Sequence, residues 1–265
     1  MHNFNFHRPL SVDEAVNRLG VAPEGVALAG GMTLIPTLKQ RLAAPTDLVD
    51  LSGVSDLRGI SEEGNSIVIG AMTTHAEVAA SALVKAKIPA LAALAESIGD
   101  AQVRNRGTIG GSVANSDPAA DYPAGLVGLG ATVVTNTREV AADDFFTGQF
   151  ETALEPAELV TAVKFPVPEK AGYAKFPNPA SRYAIVGVFV SQGSAGTRVA
   201  VTGAGSSVFR VAQFEGALAG NFSPSAVTDG AVAADDLNQD IHGSAEYRAH
   251  LIGVMARRAV AAANG

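Results

Sequence analysis

The 265-residue chain contains no cysteine, which excludes disulfides, a thiolate nucleophile, cysteine-bound zinc and any iron–sulfur cluster ligated by the chain itself. A redox role therefore requires another cofactor. Basic residues are in the minority: 19 Lys and Arg against 26 Asp and Glu leave a net charge of −7. No basic cluster interrupts that balance, so nucleic acid is not an expected partner. Continuous apolar runs long enough to span a bilayer are missing too, and the opening MHNFNFHRPL lacks the charged and apolar regions of a secretion signal. The expectation is a soluble, cytoplasmic protein. Neither a GxSxG elbow nor a P-loop with its lysine occurs, which leaves hydrolase and kinase chemistry without residues. His2, His7, His75, His242 and His250 are scattered without metal-ligand spacing and read as structural or surface residues, so no metal site is expected.

What the chain does have is one dense stretch, Gln102 to Pro123, QVRNRGTIGGSVANSDPAADYP. A charged approach (Arg104, Arg106), a Thr-Ile-Gly-Gly turn at Thr108–Gly111, an Asn-Ser-Asp step and a helix led by Pro118 follow one another closely. Paired glycines let backbone come close to a bulky ligand, and exposed amides beside a helix start suit a phosphate. A second such turn, Ala29-Gly30-Gly31-Met32-Thr33-Leu34, lies upstream between an apolar run and a helical pattern. Two cradles fit a ligand with two phosphates, although each alone is equally a tight turn from strand to helix. Thr33, Thr108, Ser112, Asn115 and Asp121 add the side-chain donors and acceptors that a dinucleotide needs. Asp121 reads equally well as a first-turn acid facing the helix dipole. Arg104 and Arg106 are either solvated, or hold the loop, or meet an acidic partner. Tyr183, on a loop after Pro177-Asn178-Pro179, is either a half-buried packing residue or a ring against a flat heteroaromatic. The run Val199 to Gly205 imitates a dinucleotide fingerprint, but Val208 holds the third glycine's place and the run reads as a plain turn.

Strands are predicted at Phe4–Phe6, Val26–Leu28 and Leu48–Leu51, with a helix from a Ser11/Glu14 capping box to Leu19 and another through Leu34, Ile35, Leu38 and Leu42. Next come strands at Leu57–Ile60, Ser66–Gly70, Ala131–Thr135 and Leu159–Phe165, a helix capped by Thr74 and Glu77, and a helix over Ala90–Ile98. After a linker at Pro166 and Pro168, three strands (Tyr173–Phe176, Ile185–Val190, Arg198–Val201) precede helices at Val208–Leu218, Pro224–Ala234 and Ala245–Ala262. This order argues an α+β protein with divisions at 1–56, 57–170 and 171–265.

Several segments in the same order make the chain resemble the FAD-binding medium subunits of molybdenum hydroxylases, the family of aerobic carbon monoxide dehydrogenase and the flavin domain of xanthine dehydrogenase. They are AGGMTLIPTLKQRL (29–42), IGAMTTHAEV (69–78), GDAQVRNRGTIGGSVANSDPAADYP (99–123), ADDFFTG (142–148) and KFPNPASRYAIVGV (175–188). The resemblance implies a two-lobed FAD-binding unit of the vanillyl-alcohol-oxidase type and a C-terminal lobe with a three-stranded antiparallel sheet and helices. It implies FAD between the first two lobes, touched by Ala29, Gly30, Gly31, Met32, Thr33, Leu34, Thr108, Ile109, Gly110, Gly111, Ser112, Ala114, Asn115, Asp121 and Tyr183. Ser112 departs from the family's asparagine, and Met32 stands where a polar or small residue is frequent. Partners implied are a large molybdenum-cofactor subunit and a small subunit with [2Fe–2S] clusters, in a dimer of heterotrimers. Electrons would leave FAD for a quinone, with peripheral membrane association, or for NAD, and no residue of this chain would act as acid, base or nucleophile. The alternative is a self-sufficient FAD oxidoreductase.

Overall fold

A computed structural model describes residues 1–265 and shows three main sheets in succession, with a small two-stranded one, Phe146–Gly148 against Glu151–Thr152, beside the second. The first is parallel: Asp47–Asp50 lies between Asn5–His7 and Gly25–Leu28, with Leu48 beside both Phe6 and Val26. Helix Val12–Val21 begins at Ser11, whose hydroxyl accepts from the Glu14 amide, while the Glu14 carboxylate reaches back to the Leu10 amide. The predicted helix through Leu42 is shorter, Leu34–Lys39. Arg41 takes a left-handed φ of 60°, the Leu42 amide bonds back to the Thr37 carbonyl, and Leu42 is left 74% exposed. Those are the marks of a Schellman stop, with arginine where glycine is usual.

The second sheet is antiparallel, in the order Ile60–Glu63, Ser66–Gly70, Val160–Pro166, Thr132–Thr135, Glu139–Ala141. The strand predicted from Leu57 starts only at Ile60, because Leu57 ends a 3-10 turn and gives its carbonyl to the Met72 amide. Short helices cover this sheet. His75–Ala80 opens with the full capping box of Thr74 and Glu77, and Pro89–Glu96 runs to Gly99, which has positive φ. Ala101–Arg106, which the glycines and charges of that stretch conceal, is helical, and the Thr108 turn proves to be the cap of helix Ile109–Asn115.

The C-terminal sheet has four antiparallel strands, one more than expected: Lys170–Pro177, Ala184–Gly193, Gly196–Thr202 and the two-residue Phe209–Arg210. Phe209 and Arg210 pair with Val201 and Ala200, so the predicted helix from Val208 starts instead at Ala212. The helix predicted over Pro224–Ala234 is a single 3-10 turn, Pro224–Ala226. Arg257 takes the Val227 carbonyl and Gly230 turns left-handed, which breaks any helical ladder there. Ser244 caps the long helix Ala245–Ala263, which packs on the sheet. None of the helices is long and apolar enough to cross a membrane.

Helix Tyr122–Leu129 joins the second and third sheets. All eight of its residues are buried, as expected for a helix apolar on every side. Pro118 does not lead it. The irregular Pro118–Ala120 segment is held by the C-terminal sheet: Gly203 N–H and Thr202 Oγ1 donate to the Pro118 carbonyl, Thr202 Oγ1 to that of Ala120 (2.6 Å), and Ala184 N–H to that of Ala119. On the far end of the helix, Gly128 lies against Phe189, where an added Cβ would stand 2.7 Å from the ring. Gly128→Ala should therefore cost about 1–3 kcal/mol by overpacking. Gly216→Ala, in helix Ala212–Gly220 with nothing within 4 Å, should gain about 0.5–1 kcal/mol. Urea denaturation of the two variants beside the parent reads both signs; equal shifts in the two would contradict this packing.

Candidate functional site

A cleft of about 710 Å³ runs between the first sheet and the helices of the second. Its walls contain every residue that the resemblance assigns to FAD except Ile109, which is fully buried in the core below with Val113. Ala71, Met72, His75 and Asp117, which fall inside the segments singled out but had no role there, also line it, as does Glu158, which had no sequence signal. The two glycine segments meet at its floor. A Cβ on Gly30 would overlap the Arg106 carbonyl oxygen and stand 2.8 Å from Gly107 Cα, so only glycine lets these backbones touch. Gly31 follows at φ 72°. Arg104 secures the approach by donating to the carbonyls of Ile98 (3.0 Å) and Gly99 (3.1 Å), whereas Arg106 is exposed and its side chain makes no hydrogen bond.

The amides of the two segments are used differently. In the second, Ile109 donates to the Thr73 carbonyl (3.0 Å), Gly110 to that of Ala71 (2.9 Å), and Gly111 to Thr108 Oγ1 (3.2 Å). Its first helical turn is thus satisfied from within, and Gly110 is needed because a Cβ would stand 2.5 Å from that of Ala71. This differs from the expectation of exposed amides at Thr108–Ser112. In the first segment, none of the amides of Gly30, Gly31, Met32, Thr33 and Leu34 donates to any acceptor in the protein. Five successive unpaired donors facing a cleft form an anion-binding concavity.

Carboxylates line the opposite part of the cleft. Asp121 is buried and accepts from the Tyr173 hydroxyl and from Lys175 Nζ, 3.0 Å away, whose remaining bonds go to the carbonyls of Ser97 and Arg182. Burial pushes the Asp121 carboxyl up, against the pull of the Lys175 ammonium. It stands at the N-cap of helix Tyr122–Leu129, where its charge faces the dipole, but its side chain makes no cap hydrogen bond. Burial also raises the Asp117 carboxyl, opposed by the Ala119 amide 2.9 Å away. Glu158 is held well below the usual carboxylate range by Arg138, which meets both its oxygens at 3.0 Å. Tyr183 is 44% exposed at the cleft, and burial of its hydroxyl, then the Asp117 charge, raise its pKa while Thr33 pulls it back. Arg182 beside it has a left-handed φ of 63°.

Of the two readings its spacing allows, surface or structural, His75 is not at the surface. Its imidazole is 5% exposed and lines the cleft, and burial, then the Arg104 charge, bring its pKa down from 6.5 to about 4. The unfolded chain takes up a proton there between pH 6.5 and 4 that the native protein refuses. Native stability thus falls as pH drops through that window, by up to about 3 kcal/mol. His75→Gln should flatten the stability profile between pH 7 and 4 by that amount in urea denaturation; coincident profiles would show that the imidazole is not buried uncharged.

The chain matches the family described as "FAD binding domain in molybdopterin dehydrogenase" over residues 2–168, and that described as "CO dehydrogenase flavoprotein C-terminal domain" over 171–263. It is 40% identical to the carbon monoxide dehydrogenase medium chain of Afipia carboxidovorans, covering 97% of this chain and 96% of the relative. It is 35% identical to the nicotine 6-hydroxylase medium subunit of Paenarthrobacter nicotinovorans, over 95% and 94%. In structure it is similar to a chain of reconstituted CO dehydrogenase from Oligotropha carboxidovorans, with TM-score 0.90, 38% identity and coverage of 98% and 97%. With its glycine-floored cleft, the chain belongs to the FAD-binding medium subunits of the molybdenum hydroxylases, the flavoprotein subunits of a class of oxidoreductases.

Proposed function

We propose that this chain is the electron-transfer subunit of a molybdenum hydroxylase of the carbon monoxide dehydrogenase type, holding FAD in the cleft with its pyrophosphate on the free amides of Gly30 to Leu34. That row of five donors carries the reading, because a doubly charged group needs several donors at one place and these have no other acceptor. The Thr33 hydroxyl adds a donor on that wall, those of Thr108 and Ser112 add donors on the other, and Asn115 and Asp121 supply polar contacts beyond them. Ala29 and Ala114 leave room for the cofactor's apolar parts, and Met32 offers a polarizable thioether. Tyr183 supplies an aromatic face at the mouth. Gly110 and Ile109 act by seating the helix on Ala71 and the core, whereas Gly111 lies in the cleft wall beside Ala29.

When bound, FAD supplies the ability to take electrons singly from a [2Fe–2S] partner and release them as a pair to a quinone or NAD. The chain's own part is to bind, orient and shield. Segments 1–56 and 57–170 form the two walls, and segment 171–265 buttresses the Pro118–Ala120 stretch. The partners are a large molybdenum-cofactor subunit, which selects the substrate, and a small iron–sulfur subunit, assembled as a dimer of heterotrimers in the cytoplasm, with membrane contact through a quinone acceptor.

Purification of the native complex, with a visible spectrum, metal analysis and a subunit gel, tests this. Flavin bands with iron, molybdenum and two further polypeptides are expected. Flavin on a single polypeptide would instead establish a self-sufficient oxidoreductase, and a colourless protein would refute both. Gly30→Val should lower flavin content at least tenfold by prising the two glycine segments apart; full flavin in that variant would refute this placement of the pyrophosphate.

A further inference from the structure

Two buried polar atoms near the cleft find no partner: Nδ1 of His75, which lines it, and the hydroxyl of Tyr122, in the core behind. Their rings pack against one another, centroids 5.3 Å apart and tilted by 49°. The backbone fixes His75 firmly. It is the first residue of helix His75–Ala80, and its amide donates to the Gly107 carbonyl at 3.0 Å. The other ring nitrogen, Nε2, is not sealed; it lies along Gly107, where an added Cβ would stand 2.5 Å from it. Gly107 is also the residue on which Gly30 seats, and His75, Gly107 and Gly30 all line the cleft.

A neutral imidazole carries one N–H and one lone pair. A sealed N–H without an acceptor is the costlier orphan, so the lone pair belongs on Nδ1 and the proton on Nε2. Arg104 nearby and the apolar packing on Tyr122 both oppose a second proton. We propose that His75 is a cofactor-positioning residue that presents Nε2–H as a neutral donor to a pyrophosphate oxygen of the bound dinucleotide, where the two glycine segments meet. This rests on the FAD reading above. It adds a side-chain donor on the second wall, opposite the amides of Gly30 to Leu34. It also gives a purpose to the close fit of Gly107 on the imidazole, since any larger residue there would push Nε2 out of line.

The test uses the native complex depleted of flavin, titrated with FAD and with ADP, which carries the pyrophosphate without the flavin ring. His75→Leu keeps the bulk and removes the donor, with His75→Met in its place should the leucine variant fail to assemble. Either should weaken FAD and ADP alike, by roughly ten- to a hundredfold, the loss of one hydrogen bond from a neutral donor to a charged acceptor. His75→Gln, whose side-chain amide restores a donor, should bind both within about twofold of the parent. Unchanged affinities in the apolar variant, an unchanged ADP affinity beside a weakened FAD affinity, or a glutamine variant as weak as the apolar one would each overturn the proposal. Should the parent complex itself fail to bind FAD, the functional reading fails first.

Discussion

The contact of Gly30 with the backbone of Arg106 and Gly107 is the constraint on which the rest of the cleft depends. Two irregular segments, from different lobes, approach until carbonyl and Cα touch. No side chain can be accommodated between them. That closeness sets the depth of the floor and the direction of the amides that follow Gly30. It also forces His75, bonded through its backbone to Gly107, to lie edge-on beside the same residue.

Glycine pairs of identical appearance thus serve two different ends. At Gly30–Gly31 the backbone leaves its strand and has not yet joined a helix, so its donors have no internal claimant. At Gly110–Gly111 the backbone is already helical, and carbonyls of Ala71 and Thr73 take the first donors. Helix starts bind anions when their amides are left free. Here the neighbouring strand end removes that freedom, and what remains for a ligand on that wall is side chain.

Much of this was legible from the sequence because it rests on local chemistry. The Thr74–Glu77 box, the Ser11 and Glu14 pair, the glycine pairs and the wholly apolar Ile185–Val190 strand announce themselves through residues within a few positions of one another. The failures have the opposite cause. Which amides of Thr108–Ser112 remain free depends on Thr73 and Ala71, more than thirty residues away. Whether Pro224–Ala234 is helical depends on Arg257, and the fourth strand is only two residues long, below any periodic signal. His75 and Asp117 owe their place in the cleft to tertiary packing that no spacing encodes.

The hold of the C-terminal sheet on Pro118–Ala120 bears on how the protein is made. Thr202 Oγ1 reaches the Ala120 carbonyl across 82 residues of chain, and Gly203 and Ala184 complete the same grip. A nascent chain that has emerged only to the end of the second sheet carries both glycine segments but lacks the strands that set the segment before Asp121. The segment before Asp121 therefore takes its final form only once the last third has left the ribosome, and a truncated product would expose an incomplete cleft.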